Sequence, residues 1–95
     1  MTKKYVTELQ GICVIEIYYP HLKKPLERCF IYLNETGLFA SIYRVSIYSG
    51  NETFEGHFQI ANNLDIYSLA NFENKCKRKY GSNLEFKIKW FNEVE

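Results

Sequence analysis

Cysteine is scarce in this chain and poorly spaced for cross-linking. Cys13, Cys29 and Cys76 are odd in number and far apart, with no CxxC pair and no clustered histidine. That pattern argues against a disulfide framework and against a structural zinc site, and leaves buried free thiols as the expectation. An excess of one charge is also missing. Twelve Lys and Arg stand against eleven Asp and Glu, a formal net charge of +1. No global field steers the chain toward nucleic acid or lipid, so any electrostatic role must be local. Long hydrophobic runs are absent too, and MTKKYVTELQ has basic residues with no apolar stretch behind them. Neither a membrane span nor a secretion signal is read, which predicts a cytoplasmic protein with no membrane partner. The tripeptides Asn34-Glu35-Thr36 and Asn51-Glu52-Thr53 match the glycosylation pattern, but without a signal they are read as turn chemistry.

What is present is apolar and aromatic. A hydrophobic content of 46% with 17% aromatics sets the chain apart from disordered sequences. Its 95 residues make one domain, and a chain of this size buries only roughly 60–65% of its unfolded surface. Lys, Ile, Asn, Tyr and Phe together number 41, against 13 for Gly, Ala, Arg and Pro. Those are residues of A/T-rich codons, and the balance points to an A/T-rich genome or a mobile element such as a phage.

Periodicity then gives the elements. In TFEGHFQI, Phe54, Gly56, Phe58 and Ile60 share one face and Thr53, Glu55, His57 and Gln59 the other. Ser49-Gly50-Asn51-Glu52 reads as a two-residue type II′ turn, which sets Ile47 against Phe54 and Val45 against Gly56 and turns the odd positions of the third strand inward. Upstream, RCFIYLN is joined through Asn34–Gly37 by a three-residue loop with Gly37 as a bulge, placing Cys29, Ile31 and Leu33 inside. A four-residue loop would instead turn Phe30 and Tyr32 inward. The first strand, 5–19, carries a bulge at Gly11 and ends at Pro20. Ile66, Leu69, Phe72, Cys76 and Tyr80 form one face of a helix over 66–80, capped by Asp65 or Asn63 and stopped by Gly81. NLEFKIKWF returns to period two. The prediction is a single α+β domain of order ββββαβ: a five-stranded, mainly antiparallel sheet, strand order 5-1-2-3-4, with one helix on one face.

One helix covers one face, yet the first three strands are oily on both. The uncovered face is expected to hold Ile12 and Val14 or their odd-numbered neighbours, with Phe30, Tyr32, Ala40, Ile42 and Tyr48. An exposed patch of that kind marks an interface. Closure of a strongly twisted sheet, a first strand folded over that face at Gly11, or a homodimer formed face to face would account for the same residues.

The best catalytic grouping is His57 with Glu55, Arg44 and Ser46 on one strand face, and cross-strand polar pairing explains it more simply. His21 belongs to a polar connection, and no metal set is visible. The expectation is therefore a non-enzymatic protein-binding inhibitor needing no cofactor, of the immunity-protein, antitoxin or phage-encoded anti-defence kind. Its partner would be a toxin or defence effector, met by the aromatic sheet face or edge through Phe30, Tyr32, Ile42, Arg44, Tyr48, Glu55 and His57. The alternative is a nucleic-acid-binding regulator that uses Lys75, Lys77, Arg78, Lys79, Lys87 and Lys89 for phosphates and Phe30, Tyr32 and Tyr48 for stacking. Against it, cations at a helix C-terminus also complement the macrodipole, and no RNP-type motif occurs.

Overall fold

Alternating apolar residues make each strand, and the turns between them decide which alternate set points inward. The computed structural model describes residues 10–91. It contains β1 (Gln10–Tyr18), β2 (Glu27–Asn34), β3 (Gly37–Val45), β4 (Glu52–Ala61), helix α1 (Ser68–Tyr80) and β5 (Glu85–Trp90). The strands form one antiparallel sheet in the order β4-β3-β2-β1-β5. Element order and strand order are those the sequence predicts; positions 5–9 of the expected first strand lie outside the described residues.

The β2–β3 turn is tighter than expected. Asn34 pairs directly with Gly37, leaving only Glu35 and Thr36 between the strands. The Asn34 side-chain oxygen accepts hydrogen bonds from the Thr36 backbone N–H (2.8 Å), the Thr36 hydroxyl (2.7 Å) and the Gly37 N–H (3.2 Å), an Asx turn in which asparagine substitutes for a backbone acceptor. Cys29, Ile31 and Leu33 face inward as expected. Their partners are Ile42, Ala40 and Leu38, so the even positions of β3 are the inner ones.

That reverses the expected facing of β3, and the cause is the next connection. In place of a two-residue II′ turn, residues 46–51 form a longer loop organised by Ser46. The Ser46 hydroxyl accepts from the N–H groups of Tyr48 and Ser49, its carbonyl accepts from Gly50, and its own N–H donates to the Asn51 carbonyl. Tyr43 rather than Ile47 therefore lies opposite Phe54. A β-bulge at Glu55 then shifts the phase of β4, so that Gly56 pairs with Ile42 and Phe58 with Ala40 on the inner side, while Phe54 turns to the other face. The Gly11 region of β1 also carries a register shift, between Gly11 and Cys13.

The core lies between α1 and the sheet. Cys13, Ile15, Ile17, Cys29, Ile31, Leu38 and Ala40 have no solvent exposure, and Phe72 and Cys76 of α1 close over them with Leu84. The helix begins two residues later than its apolar spacing suggests, and Ile66 is 82% exposed instead of lying on the buried face. Asp65 accounts for this: its carboxylate accepts from the N–H groups of Tyr67 (2.8 Å) and Ser68 (3.0 Å), capping the turn that leads into the helix. At the other end, Gly81 adopts φ 110° and donates its N–H to the Lys77 carbonyl.

Gly37 has φ 146°, and a β-carbon there would lie 2.2 Å from the Gln59 amide nitrogen and 2.7 Å from the Ala61 carbonyl. Gly37→Ala therefore combines an unfavourable dihedral with a backbone clash where β3 meets β4. It is expected to lower stability by about 2 kcal/mol or more in urea unfolding. A loss of only a few tenths would show that the approach of these backbones is not constraining.

Candidate functional site

The face of the sheet opposite α1 carries a row of rings. Because β2 and β3 are in the Asn34–Gly37 register, Tyr32 lies beside Phe39 and Phe30 beside Ser41. Phe91 packs on Phe30 (5.5 Å between ring centres), Phe30 on Tyr32 (5.6 Å), Tyr32 on Phe39 (5.7 Å, rings within 15° of parallel) and Phe39 on His57 (6.5 Å). The row thus runs from the end of β5 across β2 and β3 to β4. Tyr43 and Phe54 add a tilted pair at 5.3 Å, and Phe54 is 54% exposed. Gly11 makes room for one end of the row. A β-carbon there would sit 2.9 Å from two ring carbons of Phe91, so a larger residue would have to push that ring aside.

Beside the rings lies an ion-pair network. The Arg28 Nε donates to a Glu16 carboxylate oxygen at 2.7 Å, and its Nη1 meets Glu52. Tyr18 donates its hydroxyl to the other Glu16 oxygen at 2.9 Å, and the Lys87 ammonium sits 4.6 Å from the centre of the Tyr18 ring. Burial opposes ionisation of Glu16, but the hydrogen bonds from Arg28 and Tyr18, with the charges of Arg28 and Lys87, outweigh it and hold the carboxyl below its usual value. Tyr18 is shifted up, by desolvation and by its bond to Glu16.

The residues expected to meet a partner separate into groups. Phe30, Tyr32 and His57 do come together on the uncovered face. Ile42 does not: it is 8% exposed and belongs to the core beneath α1, because the even positions of β3 point inward. Tyr48 sits in the 46–51 loop, 90% exposed and outside the strands. Arg44 is the cross-strand partner of Glu27 on the helix side, and there Glu55 meets it at 2.9 Å. The catalytic grouping is accordingly not assembled: the bulge turns Glu55 away from His57, whose ring contact is with Phe39. The sequence reading missed Phe39, Tyr43, Phe54 and Phe91; the ring at Phe39, three positions past the two-residue turn as Tyr32 is three before it, was the available signal.

On the helix side, Glu27 is a carboxylate with 3% exposure that accepts from the Tyr80 hydroxyl and lies 3.5 Å from the Lys79 ammonium. Desolvation, then the bond to Glu27, raise the pKa of Tyr80. The three cysteines are free and buried, and burial pushes Cys13 and Cys76 up to about 11 and Cys29 up as well. All three are protonated, unreactive thiols near neutral pH. Among the described residues no group of three or more His, Cys, Asp or Glu is placed to hold a metal ion, and no helix is long and apolar enough to cross a membrane.

The six cations of the nucleic-acid reading divide between the faces. Lys75 and Lys77 lie over Phe58 and Phe86 on the helix side, whereas Lys87 and Lys89 pair across β1 with Glu16 and Val14 on the ring side. Against family models, curated proteins and solved structures the chain shows no match.

Two outcomes are expected. Ile42→Ala should cost about 2 kcal/mol or more in urea unfolding, as for a core truncation, while Tyr48→Ala should stay within about 0.5 kcal/mol; similar values for both would contradict their placement. Because the folded-state pKa of Glu16 is depressed, its contribution is fully present above the ordinary glutamate range and is lost as pH falls below that range toward the lowered folded value. Glu16→Gln should therefore flatten the acid limb of a plot of melting temperature against pH.

Proposed function

We propose that this protein is a non-enzymatic binding module that docks on another protein through the face its helix leaves uncovered, and inhibits that partner by occupying it. The ring row from Phe91 to His57 carries this reading. Aromatic side chains supply large contact area with few rotatable bonds, and interface hot spots are enriched in them. Here their stacking fixes the rings before any partner arrives, which reduces the entropy lost on docking. The adjoining network offers both signs of charge, as the rim of a protein interface does. Small size and a toxin or defence effector as partner fit the immunity-protein, antitoxin or anti-defence role that the composition suggests.

A single-stranded nucleic acid would need cations lining the same rings. On the ring side Arg28 is already held by two carboxylates and Lys87 stands opposite Glu16 and over the Tyr18 ring, which leaves Lys89, while Lys75 and Lys77 lie on the helix side. These placements favour a protein partner.

The test is retention of a partner from lysate of the source organism with the purified protein as bait, with and without nuclease. A stoichiometric protein that survives nuclease treatment is expected. Tyr32→Ala and Phe39→Ala should each weaken its binding by about 2 kcal/mol with the fold intact, and Lys77→Glu should not change it. Material lost with nuclease, or binding sensitive to Lys77 and indifferent to the rings, would replace this reading with the nucleic-acid one.

A further inference from the structure

The side of the sheet that α1 covers is incompletely filled. Between the helix and the sheet lies a cleft of about 160 Å³, walled by Ile42, Phe58, Phe72 and Cys76, with Glu27, already engaged by Tyr80 and Lys79, at one side and Lys75 and Lys79 above. Nearby on β4, Gly56 stands opposite Ile42 with no side chain of its own, and a β-carbon there would meet nothing within 4 Å. A second cleft of about 220 Å³ shares Phe72 and Lys75 and continues the groove toward Ile60 and Arg78. The outer edge of β4 borders this groove, since β4 is the last strand of the sheet.

The charges along the groove are unbalanced. Lys75 lies 5.5 Å from the centre of the Phe58 ring and pairs with no carboxylate among the described residues. Lys79 has Glu27, which Tyr80 also engages, and Glu55 is taken by Arg44. Lys75 thus overlooks the apolar first cleft and Arg78 the second, which Asn71 and Asn74 also line, and neither cation pairs with a carboxylate among the described residues.

We infer that this groove is a second binding site, for a short extended acidic peptide segment that adds to the β4 edge, inserts one apolar side chain beside Gly56 and sets carboxylates against Lys75 and Arg78. Strand addition takes its affinity from the backbone and its selectivity from pockets for alternate side chains. An apolar cavity of about 150 Å³ accepts a benzene-sized group, so the first cleft suits a Leu or Phe side chain. The bulges at Glu55 and Ile60 leave Gly56–Gln59 as the regular part of the edge, which limits the paired length to a few residues. The site is independent of the ring row, which occupies the opposite face.

The experiment uses a fluorescein-labelled peptide alternating Glu with Leu and Phe, its counterpart with Lys in place of Glu, and labelled oligo-dT, followed by anisotropy on the full chain. The acidic peptide alone should bind. Lys75→Glu with Arg78→Glu should weaken it about tenfold or more, and Tyr32→Ala should leave it unchanged. Circular dichroism melts confirm that the variants fold, and Phe58→Ala supplies a second, uncharged test by removing a wall of the cleft. Equal binding of both peptides, or binding indifferent to the double variant, would overturn the proposal. Preferential binding of oligo-dT would assign the groove to nucleic acid instead.

Discussion

One asparagine side chain holds the β2–β3 turn at two residues, and the register that turn imposes propagates through the sheet. With Asn34 against Gly37, the aliphatic sets of both strands coincide on the helix side and the rings coincide on the other. A slip of one residue would send Ile31 and Leu38 to opposite faces and break the ring row between Tyr32 and Phe39. Core and candidate interface are therefore two outcomes of one constraint.

The coarse architecture was legible because it rests on strong signals. A run with a helical period, bounded by Asp65 and Gly81, sits between two runs of period two, and only one helix is available to cover a face. The facing of β3 was not legible. Leu38, Ala40 and Ile42 interleave with Phe39 and Tyr43, so neither alternate set is polar enough to declare itself outward. Gly50 resembles the glycine of a tight hairpin turn, but Ser46 satisfies the backbone of a longer loop, and that chemistry depends on hydrogen bonds the sequence does not advertise. The bulge at Glu55 then restored the expected inner positions of Gly56 and Phe58 while moving Phe54 outward. Of the seven expected contact residues, Phe30 and Tyr32 lie on the uncovered face because β2 alternates cleanly between aliphatic and aromatic, whereas Ile42 lies in the core because the facing of its strand is reversed.

Burial and charge are arranged differently on the two faces. On the helix side a carboxylate, Glu27, is taken almost wholly out of water and met by a phenol and an ammonium, an arrangement that fixes the end of α1 over β2. On the ring side Arg28 gathers two carboxylates from different strands, which links β1, β2 and β4 without requiring burial. Exposed pairs of this sort contribute little singly, but a shared guanidinium gives the network a common centre.

The irregular path of β4 bears on how the molecule behaves when crowded. A straight outer strand of ten residues would offer a continuous template on which copy could add to copy without end. Interrupted at Glu55 and again at Ile60, this one breaks the template near both ends of a short central stretch. At the far side of the sheet, β5 is only six residues long and carries Glu85, Lys87 and Lys89. Both margins thus resist open-ended growth, one by its shape and the other by shortness and charge, which should keep the protein from polymerising as its concentration rises.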